Sequence, residues 1–157
     1  MTGKEKRRHS KRYLQRVRKL DSMIRIKKEN LAEVKATLGY RAKNALERVQ
    51  ESISIDGICD AVIELLQLET EIGECITEYY RIKEEIIYEL FSLKEAKHID
   101  ILSFRYLKYM KFEDIPDAME STGRYRYDIR HIYRLHDDAL EAFWEEVLQY
   151  KQKDREG

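Results

Sequence analysis

Residues 56–97 read DGICDAVIELLQLETEIGECITEYYRIKEEIIYELFSLKEAK, and their periodicity decides the fold class. Ile58, Leu65, Ile72, Tyr79, Ile86 and Leu93 recur every seven residues. Ala61, Leu68, Cys75 and Ile82 fill the alternate seam, which Glu89 interrupts, and Val62, Leu66, Ile76, Ile87 and Leu90 broaden the stripe. An apolar seam of this period belongs to a helix packed along another helix. The expected helix runs from about Asp56 to Lys97 and is roughly 60 Å long at about 1.5 Å per residue.

Upstream, a second heptad segment spans Lys11 to Leu38. Val17, Ile24, Leu31 and Leu38 hold one seam position, and Tyr13, Leu20 and Val34 the other, with Lys27 as its polar member. Gly39 is placed to stop this helix, because glycine accepts the left-handed conformation of a helix terminus. Residues 39–55 are less regular: Arg41 to Gln50 fit a short helix, and Ser52, Ser54 or Asp56 can cap the helix that follows. Two heptad helices joined by a short connection fold back most simply as an antiparallel hairpin. The longer second helix then keeps part of its stripe uncovered, which self-association or the C-terminal part would cover. Lys27 and Glu89 either set the register of the seams or snorkel at the stripe edge.

Composition agrees with an all-α chain. The 157 residues include one proline and six glycines, with 43% hydrophobic and 38% charged residues. The formal net charge is zero but unevenly spread. Residues 1–28 hold twelve Lys or Arg against two acids, residues 29–98 eight against fifteen, and residues 99–157 ten against thirteen. A basic end on a neutral chain suits a polyanion or remains a solvated tail. Two cysteines, Cys59 and Cys75, are too few for a disulfide framework. No run approaches the roughly 18 apolar residues of a membrane span, and the first residues lack the apolar core of a secretory signal. A cytoplasmic protein without a membrane partner is expected.

From Asp100 the pattern shortens. Ile101 to Leu107 form a dense helical stretch, Tyr109 to Lys111 a break, and Phe112, Ile115, Ala118 and Met119 a second short helix. Pro116 is tolerated there in a first turn. Ser121, Thr122 and Gly123 make a turn, and Asp128 caps a third helix carrying Ile129, Ile132, Tyr133 and Leu135. That helix continues through Ala139, Leu140, Phe143, Trp144 and Leu148. Two short helices, a turn and a longer helix match a helix-turn-helix. Its open side would carry Arg130, His131 and Arg134, preceded by Arg124 and Arg126. Arginine pairs bidentately with guanine or neutralises a phosphate.

Two stretches carry a family resemblance. LSFRYLKYMKFEDIPDAM (102–119) resembles the start of region 4 of bacterial sigma factors, and HIYRLHDDALEAF (131–143) resembles its recognition helix and tail. Together with the upstream VQESISID (49–56) and the heptad helix, they make the chain similar to phage-encoded ArpU-like and RinA-like regulators of Gram-positive bacteria, over roughly residues 14–145. The resemblance implies that Ile129, Arg130, His131, Tyr133 and Arg134 face the major groove. It implies core roles for Tyr106, Leu107, Ile115, Met119, Ile132, Leu135 and Leu140. The chain departs from the pattern at Pro116, where a small alanine is usual. It departs again in ESTGRYRY (120–127), about six residues longer than usual, which adds a basic wing of Arg124, Tyr125, Arg126 and Tyr127.

The expected architecture is therefore an all-α protein in which a long antiparallel coiled-coil helical hairpin precedes a sigma region 4-like helix-turn-helix. Residues 1–97 would hold a basic tail and the hairpin, 98–150 the helix-turn-helix, and 151–157 a charged tail. The expected partners are double-stranded promoter or operator DNA, RNA polymerase, and further copies of the chain through the heptads. No enzyme activity, cofactor or metal is expected. His131 and His136 lack ligand partners at suitable spacing, glycine-rich phosphate loops are missing, and adjacent acid pairs such as Glu84–Glu85 diverge on a helix. A phage small-terminase-like packaging subunit and a coiled-coil adaptor without DNA binding remain as alternatives.

Overall fold

The computed structural model describes residues 1–47, 55–124 and 126–157, with the side chains of 45–47 and 55–56 left aside. The caps assigned to Ser52, Ser54 and the Asp56 side chain, and the wing residue Tyr125, lie outside the described residues. The described chain is helical throughout its elements and contains no strand among the described residues. Helix α1 covers Gly3–Leu14, α2 Arg16–Glu47, α3 Ile55–Phe91, α4 Ala96–Leu102, α5 Ile115–Ser121, α6 Ile129–Phe143 and α7 Gln149–Glu156. Single π-helical turns at Ser103–Leu107 and Trp144–Leu148 extend α4 and join α6 to α7, and a 3-10 turn at Phe112–Asp114 leads into α5.

Several expected boundaries move, each for a local reason. The basic first residues are a helix rather than a tail. Thr2 Oγ1 accepts from the Glu5 amide at 3.3 Å, and the Glu5 carboxylate accepts from the Thr2 amide at 2.8 Å. This reciprocal capping box satisfies two orphan donors. Gln15 interrupts the helix only briefly, since its amide still reaches Lys11 O at 2.9 Å. Helix α2 runs through Gly39 to Glu47, so Gly39 is a helix-interior residue and not a stop. The propensity cost of one such glycine is about 1 kcal/mol, which a long helix absorbs. Helix α3 ends at Phe91, six residues before Lys97. There Ser92 Oγ donates to Glu89 O at 2.6 Å, and the Lys94 amide donates to the Glu146 carboxylate at 2.9 Å. Residues 151–156, expected as a charged tail, continue the last helix.

Contacts divide the chain into two compact units, Met1–Lys19 with Arg81–Gly157, and Leu20–Tyr80. The segment expected as one unit over residues 1–97 is thus shared between them. The first unit has a closed core. Leu14, Val17, Ile86, Ile101, Leu102, Ile115, Met119, Ile132 and Phe143 are completely or almost completely buried. Each contributes roughly 1.5–3 kcal/mol of burial. Ser10, on the inner side of α1, is also fully buried and donates to Leu140 O at 2.7 Å, tying α1 to α6. The second unit consists of the facing parts of α2 and α3. Lys27 reaches Glu71 at 2.9 Å and Lys35 reaches Glu69 at 3.4 Å. Both ion pairs join α2 to α3 within this unit.

Glu89, read as a seam interruption, does not snorkel. It is buried, and its carboxylate takes a hydrogen bond from Tyr13 at 2.9 Å and an ion pair from Lys151. Lys151 also pairs with Glu85. Burial alone would lower the Lys151 pKa, but the bonds to Glu85, Glu89 and Tyr13 raise it well above the ordinary lysine value.

Candidate nucleic-acid interface

The C-terminal helices are assembled by three local devices. The first is the turn after the π-helical Ser103–Leu107. Tyr109 takes a left-handed backbone, φ 57°, and Arg105 Nη1 clamps the turn by donating to Met110 O at 2.8 Å. The Arg105 guanidinium lies 4.2 Å above the Phe112 ring. The second device is the end of α5. Thr122 Oγ1 donates to Met119 O at 2.7 Å, and Gly123 follows with φ 84°, a conformation that a Cβ would strain. Pro116 sits in the first turn of α5 and is buried, so the departure from alanine is accommodated without breaking the helix. The third is the start of α6, where Asp128 is extended and its carboxylate accepts from the His131 amide at 2.7 Å.

Helix α6 is strongly two-sided. Ile132, Leu135, His136, Ala139, Leu140 and Phe143 are buried at helical spacing against α1, α4 and α5. Ile129, Arg130, His131, Tyr133 and Arg134 are exposed in its first turns. Arg130 and Arg134, four residues apart and on one side of the helix, have no ion-pair or hydrogen-bond partner among the described residues. The Tyr133 ring packs on Phe112 with centroids 4.8 Å apart, and His131 stacks on Tyr127 at 4.5 Å. Further along, Asp137 and Glu141 turn the same side acidic, and Arg7 of α1 pairs with both. Positive charge without a partner is thus confined to the first half of the helix.

The two arginines before α6 differ from those on it. Arg124 Nε is bound to Asp100 at 2.6 Å, half-buried, and holds the connection to α4. Arg126 bridges Asp117 at 2.9 Å and Glu120 at 3.0 Å. Of the seven candidate residues, five therefore gather at the N-terminal end of α6, while Arg124 and Arg126 are held by carboxylates of α4 and α5.

His136 lies in the interior, a place that its polar side chain does not announce in the sequence. It is buried with its Nε2 2.8 Å from the Tyr106 hydroxyl, and Phe112 meets it edge-on at 5.0 Å. Burial, with Arg105 and Lys11 adding to it, pushes its pKa down to about 4. Burial also pushes the Tyr106 hydroxyl up. The only sequence signal for this pair is spacing, since His136 follows Ile132 by four and precedes Ala139 and Leu140 on the buried face. Of the residues assigned core roles, Tyr106, Ile115, Met119, Ile132, Leu135 and Leu140 are buried, and Leu107 is half-buried.

Among the described residues no group of three or more His, Cys, Asp or Glu is arranged to hold a metal ion, and no helix is long and apolar enough to cross a membrane. Comparison with protein-family models, with curated proteins and with solved structures gives no match.

Proposed function

We propose that the protein is a sequence-specific DNA-binding transcription regulator of phage type. In this reading α5 and α6 form a helix-turn-helix similar to sigma region 4, and the first half of α6 enters the major groove. The observation that carries it is the pair Arg130 and Arg134. Both are exposed and unpaired, on a helix whose opposite side is fully anchored. A rigid helix with two uncommitted guanidinium groups one turn apart suits base edges and phosphates. Tyr133 and Ile129 beside them supply apolar contact, and His131 a further polar one. Arg124 and Arg126 act at the edge, where each must exchange a carboxylate for a phosphate.

The facing parts of α2 and α3 serve in this reading as a coiled-coil hairpin that brings copies of the chain, or RNA polymerase, to the promoter. Exposed Val62, Ile63 and Leu66 along α3 favour a protein contact there.

Selection of bound fragments from a bacterial or phage genome, with solution mass measured on the same preparation, tests the reading. One promoter-proximal sequence should be enriched by a small oligomer. Arg130→Ala and Arg134→Ala should each cost about 1–3 kcal/mol of specific affinity. Unchanged binding by the double variant would sink the assignment of α6. Loss of all salt-dependent affinity in the native protein would leave an adaptor, and a large ring would leave a packaging subunit.

A further inference from the structure

Outside the α6 face, the first unit contains a groove of about 370 Å³ between the α1–α2 junction and the last helix. Small-molecule sites fall at about 300–1,000 Å³. Its charge is one-sided. Arg12, Arg16, Lys151 and Arg155 line it, together with the rings of His9 and Trp144, and no carboxylate does.

Two of the three guanidinium groups are free of ion pairs among the described residues. Arg12 and Arg155 have no ion-pair partner among the described residues. Arg16 is fixed in place: its Nε donates to Tyr13 O at 3.1 Å, and its guanidinium lies 3.9 Å over the Tyr13 ring. Its Nη2 is buried without a hydrogen-bond partner among the described residues. Leaving a charged donor unsatisfied in this way is costly, and a fixed arginine needs little further ordering to meet an acceptor. Lys151 is different, because Glu85 and Glu89 already hold it. Four cations against two carboxylates leave the cluster two charges positive. That matches a phosphomonoester dianion, whose oxygens take the fork of an arginine bidentately.

We propose that this groove is a binding site for a small phosphate ester, with Arg12, Arg16 and Arg155 as its anion ligands. The site does not depend on the α6 reading. Trp144 is the only tryptophan in the chain and lines the groove, with the His9 ring 5.2 Å from its own. Its fluorescence therefore reports on occupancy without a label.

The test titrates the full chain with ribose 5-phosphate, with ribose and inorganic phosphate in parallel. The expected result is a saturable change in Trp144 emission with ribose 5-phosphate, none with ribose, and competition by inorganic phosphate. Arg12→Gln and Arg155→Gln change exposed side chains, so the helical circular dichroism should stay unchanged, while each weakens the binding roughly tenfold or more. No saturable change up to about 1 mM, a range that covers weak specific binding, overturns the proposal. So does binding that survives in the Arg12→Gln, Arg155→Gln double variant. A response to duplex DNA but not to the ester also overturns it, and makes the groove a backbone contact instead.

Discussion

In Leu20–Tyr80 the heptad seam leaves only Ile24 and Ile72 buried among the described hydrophobic residues, whereas Met1–Lys19 with Arg81–Gly157 buries twenty. Both regions draw on the same two heptad helices. The difference is the number of helices around the seam. Two helices side by side cover one stripe of each other and leave the flanks in water, so Leu66 is 55% exposed. Around the C-terminal end of α3, Tyr13 of α1 and Lys151 of α7 reach Glu85 and Glu89, and Ile86 and Leu90 lose all or nearly all contact with solvent. Periodicity therefore states which side of a helix seeks a partner, but not how completely the partner covers it.

The largest expected effect tests that contrast directly. Phe143→Ala empties a fully buried site and should destabilise the fold by about 3–5 kcal/mol in chemical denaturation. Leu66→Ala in the two-helix region should stay within about 0.5 kcal/mol, as surface changes do. If Leu66→Ala instead costs as much as a core deletion and lowers the solution mass, a second copy covers α3, and the comparison holds only for the isolated chain.

The polar interior sharpens the contrast. His136 has a folded pKa near 4 against an ordinary 6.5, so the unfolded state binds the extra proton first. Stability should then fall as pH drops from about 6.5 to 4 and lose about 3 kcal/mol to this residue. His136→Gln should remove that part of the slope, read as the difference between the two stability–pH curves. Lys151→Met comes next. It strands the buried Glu89 carboxylate, at a cost of about 2–3 kcal/mol, below a fully buried pair because Lys151 is one-third exposed. The Glu85 carboxyl, held low chiefly by its bond from Lys151, adds stability above the ordinary carboxylate range that disappears as pH falls through its folded value.

Much of this was legible in the residues. The seam at Ile58, Leu65 and Ile72 names a long helix, Asp128 names the start of α6, and Thr122–Gly123 names the turn before it. All three signals are local, resting on a period, a cap or a φ that glycine tolerates. The capping box Thr2–Glu5 is equally local, but the helix it starts is basic and polar and carries no apolar period to announce it. What could not be read were pairings across the chain. Ser10 to Leu140, Tyr13 to Glu89 and Tyr106 to His136 join residues 130, 76 and 30 positions apart. No spacing rule encodes them, and they decide that α1 packs with the C-terminal helices. The same holds at the candidate interface. Composition marks Arg124, Arg126, Arg130 and Arg134 alike, and only the acids brought beside the first two by α4 and α5 separate them.

The smallest expected effect lies in the ion pairs, where the two regions again invite comparison. Lys27–Glu71 and Lys151–Glu89 both place a cation against an acid from α3, at a polar position in an apolar seam. Glu71 is about half exposed, while Glu89 is almost fully enclosed. Water already solvates Glu71 when its partner is removed, so Lys27→Met should leave the denaturation midpoint within measurement error. Glu89 has no such recourse. The informative quantity is the ratio of the two effects in the same denaturant. If Lys27→Met proves as damaging as Lys151→Met, then Glu71 is shielded from water in solution. The simplest shield is another chain laid along the exposed flank of α3, the same outcome that a costly Leu66→Ala would give by an independent route.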